Sequence, residues 1–384
     1  MKLVNVGDMF YVQAADSDLR AKGECGGAVT AILKYLLEKK IVDAALAMRR
    51  GTDLYDGVPA LITDPSKITE LSGSLHCAPI MQSTVLFKYL SGAKDMKVAV
   101  VGVGCDCWAI QKLGEKGVIS KENLVLIGLN CGGTFPPVQA QEMITRFYGI
   151  NPMDVMKEEI AKGNLILETN DHQAKGLKID DLEEQGYGRR SNCRRCEVKI
   201  PWMADLAFGS WGVVGPDVRK TTFVEVCTKA GAQLLEGAIR DGTLIAKDPS
   251  SQGIGLREKT EQAMLKLGAQ WQAHDFLTPE AKNEFWLKQF AKCIKCLGCV
   301  NACPVCVCDE CKLESKEPLW FESGELPPSP KLQFTRAAHM ANDCVNCGQC
   351  EDACPVEIPL STFFQQSSKE FGELFARFDE LTSI

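Results

Sequence analysis

Two stretches of the 384-residue sequence carry cysteine at spacings that suit one kind of chemistry. Residues 293–304 read CIKCLGCVNACP and residues 344–355 read CVNCGQCEDACP. The pattern C-x-x-C-x-x-C-x-x-x-C-P therefore occurs twice, at Cys293, Cys296, Cys299, Cys303 and at Cys344, Cys347, Cys350, Cys354. Three thiolates two residues apart can wrap three corners of a four-iron cubane within one tight loop. The fourth cysteine, before proline at the expected start of a helix, serves the neighbouring cluster. The pattern assigns one [4Fe-4S] cluster to Cys293, Cys296, Cys299 and Cys354, and a second to Cys344, Cys347, Cys350 and Cys303. Zinc would call for isolated pairs, not triplets closed by Cys-Pro. Clusters of this kind move electrons one at a time.

Other cysteines are less explicit. Cys306, Cys308 and Cys311 lie between the two runs, three thiolates without an obvious fourth. They read as shielding the second cluster, with Cys306 the rival to Cys303 for one of its ligand places. Cys105 and Cys107 follow one strand-like run, Cys131 follows the next, and Cys193 and Cys196 form NCRRC. Such a set at neighbouring strand ends can close a four-thiolate site, and spacing alone leaves that level with a redox dithiol. Cys25, Cys77 and Cys227 read as buried thiols. Only four histidines are present, none at His-x-x-x-His spacing, which disfavours a zinc hydrolase. Gly102-Val103-Gly104 follows a strand, but Cys107 stands where a dinucleotide fingerprint has its third glycine. Gly26-Gly27 precedes a helix whose first N–H groups suit a pyrophosphate, or else forms a plain turn. Arg189, Arg190, Arg194, Arg195 and Lys199 flank NCRRC, as a solvated face or as a receiver for an anionic cofactor tail.

The elements that must position these groups are of two kinds. KVAVVGVG (97–104) and NLVLIGLN (123–130) read as buried parallel strands with a helix between them, and 28–40 and 41–49 as a helix followed by a strand. This order predicts an α/β domain. From about residue 248 to residue 291 the pattern turns helical, a bridge into the cysteine-rich end. Residues 316–331 are proline-rich and read as an arm between the runs. Phe371, Leu374, Phe375 and Phe378 share one face of a final helix expected to dock on its own domain. The expected domains are 1–285 and 286–384. A net charge of −7 and few clustered basic runs argue against nucleic acid as the main partner. No run of 18 apolar residues predicts a membrane span. The N-terminal residues lack the apolar run of a secretion signal, so a cytoplasmic location is expected. In a reduced compartment, 19 cysteines point to metal and not to disulfides.

CGGAVTAILKYLLEKKIVDAA, GVGCDCWAI, GLNCGGT and RRSNCRRCEVKIPWMADLAFGSWG, in that order, resemble the coenzyme F420 hydrogenase/dehydrogenase beta-subunit family over roughly residues 10–240. The resemblance implies an α/β (α+β) domain that binds FAD and one four-iron cluster and exchanges hydride with the deazaflavin F420. A bacterial-type ferredoxin domain with two [4Fe-4S] clusters then follows at the C-terminus. By position, the family's cluster ligands correspond to Cys105, Cys131, Cys193 and Cys196. This chain has Gly-Val-Gly where the family often has Gly-Thr-Pro, and Cys107 competes for a ligand place. Gly26, Gly27, Thr30, Ser210 and Gly212 are the candidates for the flavin pocket, and Arg189, Arg190, Arg194 and Lys199 for the phosphate and glutamate tail of F420. A C-terminal two-cluster module resembles the formate-oxidising branch of the family in methanogenic archaea. There a separate molybdopterin alpha subunit supplies the electrons, and a larger electron-transfer complex such as heterodisulfide reductase is a further expected partner. The rival expectations are a subunit of an F420-reducing hydrogenase, another F420H2-dependent reductase, or a pure electron relay.

Overall fold

A computed structural model describes residues 3–273, 279–308 and 329–382. The chain divides into two compact units, Met1–Arg190 with Glu197–Lys266, and Ser191–Cys196 with Leu267–Ile384. The expected boundary at 285/286 falls inside the helix Pro279–Ala291, whose Trp286 and Phe290 are core residues of the second unit. Cys311 and most of the proline-rich arm lie outside the described residues.

The first unit is built on an eight-stranded sheet. Its strands are β1 (Met9–Ala14), β2 (Ala44–Arg50), β3 (Gly57–Ile62), β4 (Val98–Val103), β5 (Leu124–Leu129), β9 (Leu206–Gly209), β10 (Thr222–Val226) and β11 (Leu244–Lys247), in the order β11-β1-β10-β9-β5-β4-β2-β3. The β2-β4-β5-β9 centre is parallel, whereas β3 on one side and β10, β1 and β11 on the other pair antiparallel. VAVVGV and LVLIGL are apolar throughout because helices cover a parallel centre on both faces. Gly102 and Gly128 are direct partners in this centre, and a Cβ on Gly128 would fall 2.2 Å from Pro201. The helices Ala28–Glu38 and Lys229–Arg240 bury Ile32, Leu36 and Leu235 against the sheet, in the largest core of the unit. A separate sheet of β6 (Val155–Ala161), β7 (Asn164–Thr169) and β8 (Ala174–Lys178) is antiparallel and has its own core around Phe135, Met143 and Leu165. These flanking strands and the small sheet are additions to the simple alternation expected from sequence.

The second unit is helical. Helices Pro279–Ala291, Ser329–Met340 and Leu360–Thr382 pack Trp286, Phe290, Ala337, Leu360, Phe363 and Phe364 together. The tail helix is thus anchored by its first turns. Leu374, expected on a docked face, is 58% exposed, and the side chains of Phe375 and Phe378 lie outside the described residues. Residues 191–196 are held here by hydrogen bonds. Ser191 Oγ donates to Glu351 at 2.6 Å, and Asn192 and Asn346 each donate from the side-chain amide to the other's carbonyl at 3.0 Å.

Candidate functional site

The two cysteine runs fold alike. The third cysteine of each triplet lies in a one-turn helix, Cys299 in Gly298–Asn301 and Cys350 in Gln349–Asp352. Lys295 and Leu297 in the first run, and Asn346 and Gly348 in the second, all take the left-handed backbone conformation. Single left-handed residues turn neighbouring amides into a concave surface that suits a sulfur-rich anion. Cys293, Cys296, Cys299 and Cys354 line one small cavity, and Cys303, Cys344, Cys347 and Cys350 line another. Each run therefore lends its last cysteine to the other's nest. That cysteine sits just after a one-turn helix, not at the start of one as expected, because Pro304 or Pro355 follows it and the chain turns away. Cys306 is not among the residues lining the second cavity, and Cys308 is exposed.

Polar groups point at the sulfurs. Gln333 donates from Nε2 to Cys293 Sγ at 3.6 Å, and the Ile358 N–H donates to Cys354 Sγ at 3.4 Å. Burial pushes the Cys344 thiol up to about 11 and raises Cys299 and Cys350 as well, so uptake of a metal here must release protons. Arg336 is buried beside both nests. It donates from Nη2 to the Cys299 carbonyl at 2.7 Å and lies over the Phe364 ring. Four thiols at each nest, with N–H donors to sulfur, fit a cubane cluster.

In the first unit a cavity of about 280 Å³ opens at the carboxyl ends of β4, β5 and β9, where an open α/β sheet gathers its ligands. Glu24, Thr30, His76, Gln82, Asn130 and Ser210 are among its lining residues. Gly26 and Gly27 have φ of +79° and +67°, and a Cβ on either would fall 2.3 Å from a backbone oxygen, so the turn into the helix Ala28–Glu38 requires both. Gly27 lines the cavity. Gly212 serves another purpose, since its Cβ position lies 2.7 Å from Arg257 Cβ and from the Gly253 carbonyl, where the helix Ser251–Ala273 crosses it. The cavity is polar on one side. His76 Nε2, Gln82 Oε1 and both side-chain atoms of Asn130 are buried without a hydrogen-bond partner among the described residues. Such atoms fit the donor-and-acceptor edge of a flavin-like ring.

His76 and Glu24 approach to 3.7 Å. Burial opposes the charge on the ring, but Glu24, with Glu158 and Glu159 beyond it, outweighs burial and holds His76 above the ordinary histidine range. Burial likewise opposes charge on Glu24, and His76 overcomes it and holds the carboxyl below its ordinary range. Asp106, buried at the start of the helix Gly104–Glu115, accepts from the Gln82 and Ser83 N–H groups at 2.7 and 2.9 Å and so caps the helix Gln82–Tyr89. Sequence reasoning passed over Asp106, Asn130 and Arg336, and weighed His76 only for zinc spacing. The usable signal was a polar residue directly after an apolar strand, as in GLN at 128–130.

The remaining cysteines and basic residues are placed as follows. Cys105 lies in the first turn after β4 and Cys131 two residues past the end of β5, where its N–H donates to the Lys199 carbonyl at 2.9 Å. Cys107 is buried, donates to the Gly102 carbonyl and has its thiol pKa raised by burial. Cys193 and Cys196 belong to the second unit, where the Cys196 N–H donates to the Cys193 carbonyl at 3.3 Å. Cys77 is buried as expected, whereas Cys25 and Cys227 are only half-buried; loss of water raises Cys77 strongly and pushes the other two up to about 12. Arg189, Arg190 and Lys199 are buried, and the Arg189 fork is engaged by Glu183 at 2.6 and 2.9 Å. Arg194 lies over the Trp271 ring at 5.2 Å.

Two regions of the chain match the coenzyme F420 hydrogenase/dehydrogenase beta subunit, residues 9–86 its N-terminal part and residues 95–252 its C-terminal part, and residues 338–359 match a 4Fe-4S binding domain. The chain is 47% identical to the F420-dependent formate dehydrogenase subunit beta of Methanocaldococcus jannaschii, over 92% of each chain. It is also 47% identical to the F420-dependent formate dehydrogenase 1 subunit beta of Methanococcus maripaludis, over 95% of this chain and 94% of the relative. A chain in the structure of the F420-reducing [NiFe] hydrogenase complex from Methanosarcina barkeri shares the fold at a TM-score of 0.62 and 20% identity, over 71% of this chain and 92% of that one. No helix among the described residues is long and apolar enough to cross a membrane.

Proposed function

This chain belongs to the coenzyme F420 hydrogenase/dehydrogenase beta-subunit family, and on that premise we propose that it is the electron-accepting subunit of an F420-dependent formate dehydrogenase. The observation that carries this reading is likeness to formate dehydrogenase beta subunits along nearly the whole chain, the C-terminal cysteine nests included. In this reading formate is oxidised on a molybdopterin-bearing partner in the cytoplasm, and F420 is the hydride acceptor.

The residues divide the work. Cys293, Cys296, Cys299 and Cys354 would hold one [4Fe-4S] cluster and Cys303, Cys344, Cys347 and Cys350 a second, supplying one-electron transfer. FAD in the first unit's cavity would supply the exchange between single electrons and hydride pairs. Gly27 lets the start of the helix Ala28–Glu38 meet the cavity, where its backbone N–H groups would hold an anionic part of the cofactor, and Thr30, Ser210 and Asn130 would offer side-chain hydrogen bonds. The Glu24–His76 pair can hold a proton at Nε2 on the cavity wall, which matters because a cluster delivers electrons without protons. The third ligand set, Cys105, Cys131, Cys193 and Cys196, rests on motif correspondence. Iron content decides it, at about twelve atoms per chain for three clusters and about eight for two.

The test is formate-dependent bleaching of F420 by the anaerobically purified complex. Reduction of F420 by hydrogen and not by formate would overturn the choice of donor. Absence of bound flavin from freshly purified protein would overturn the role given to the cavity.

A further inference from the structure

Arg336 is the one residue, among those described, that is both charged and part of the lining of both cysteine cavities. It is 2% exposed on the helix Ser329–Met340. One nitrogen is accounted for by the Cys299 carbonyl. Nε and Nη1 are buried with no partner, and no carboxylate among the described residues reaches ion-pair distance. A guanidinium sealed from water without a counter-charge is costly, and buried charges are ordinarily paired. The cysteines of both nests share its two cavities instead, Cys293, Cys296, Cys299 and Cys354 in one and Cys303, Cys344, Cys347 and Cys350 in the other. Its face lies over Phe364 at 4.6 Å, which fixes the plane of the fork.

We propose that Arg336 is a shared tuning residue for the two clusters, its two unpartnered N–H directions donating to cluster sulfur in both nests. The inference rests on the reading of the nests as cluster sites. A cluster with four thiolates is an anion that gains a further negative charge on reduction. A fixed positive charge beside it favours the reduced state, and N–H donors to sulfur act in the same direction. One guanidinium between two nests raises both potentials together, so that neither cluster becomes a trap for the electron. Gln333, with Nε2 at Cys293 Sγ and Oε1 unpartnered, adds a donor to the first nest alone.

The experiment is a potentiometric titration of the full chain, followed by electron paramagnetic resonance, with iron measured on the same samples. Arg336→Gln is expected to shift the one-electron equilibrium of both clusters at least tenfold toward the oxidised state, about 59 mV for each. Arg336→Lys, which keeps the charge without the fork, is expected to recover part of that shift. Full iron with unchanged potentials in Arg336→Gln would overturn the proposal, and so would a shift confined to one cluster. Nests that bind no iron even in the wild-type chain would instead overturn the cluster reading itself. If Arg336→Gln does not hold iron, the wild type labelled with ¹⁵N-arginine decides. A nitrogen coupling to both reduced clusters that vanishes in labelled Arg336→Lys is expected, and its absence from the wild type overturns the proposal.

Discussion

The ring of His76 and the carboxylate of Glu24 face one cavity 3.7 Å apart, and that pairing fixes the pH at which each carries charge. His76 is raised in the folded state, so its stabilisation is complete below the unfolded histidine pKa of about 6.5 and is lost as pH climbs through the raised value. Glu24 is lowered, so its share is present above the unfolded carboxylate value of about 4.3 and is lost as pH falls through the lowered one. Both contributions coincide between those two unfolded values. His76→Gln should therefore cost about 1 kcal/mol near pH 5.5 and distinctly less at pH 9, read as the melting temperature across a pH series. An equal loss at both pH values would mean that the pair is not ionised. A second substitution tests the exchange of ligands between nests. Cys354→Ala should abolish the signal of the cluster held by Cys293, Cys296 and Cys299 and leave the other, and the opposite outcome would refute the crosswise assignment. The cysteines were legible because metal ligation writes its spacing into a dozen consecutive residues. His76 and Glu24 were not, because the fold alone brings two distant positions to one wall.

On the scale of elements, the helix Ser251–Ala273 is fastened to the sheet of the first unit by a buried charge. Arg257 donates from Nε to Glu225 on β10 at 2.8 Å and from Nη1 to Glu261 at 2.6 Å, and its guanidinium lies over the Trp202 ring at 4.8 Å. Both Arg257 and Glu225 are nearly inaccessible. Arg257→Leu leaves a carboxylate buried without its counter-charge and should destabilise the unit by about 3–5 kcal/mol in urea. Replacing Glu225 by Leu as well should return much of that loss, and a purely additive double variant would argue against the pairing. The parallel centre was readable because strands buried on both faces are uniformly apolar, as in VAVVGV. The antiparallel flanks were not. MFYVQA and TFVEV mix polar residues with apolar ones, and Glu225 in the latter gains its partner from a helix that begins 26 positions later.

At the scale of the whole chain, the two units differ in what sustains them. The first has an extensive apolar core. The second has a modest one, and several of its members are cysteines of the nests, Cys299 buried among them. Chelation of iron should therefore loosen residues 279–308 and 329–382 while sparing β4 and β5. Hydrogen exchange should show the difference as a rise of about tenfold or more in the second unit's amides. Uniform protection after chelation would contradict it. The sequence made the second unit's cysteine motifs plain but placed its edge at 285/286, because nothing local announces that the chain joins this unit at Leu267, within the helix Ser251–Ala273. The crosswise nests also bear on biosynthesis. The earlier triplet leaves the ribosome first, yet its nest stays one thiolate short until residue 354 has been made. At about 5–20 residues per second, that is a wait of roughly three to eleven seconds. A delivery factor carrying a finished cubane would meet no complete acceptor before then, and loading would follow translation of the second run.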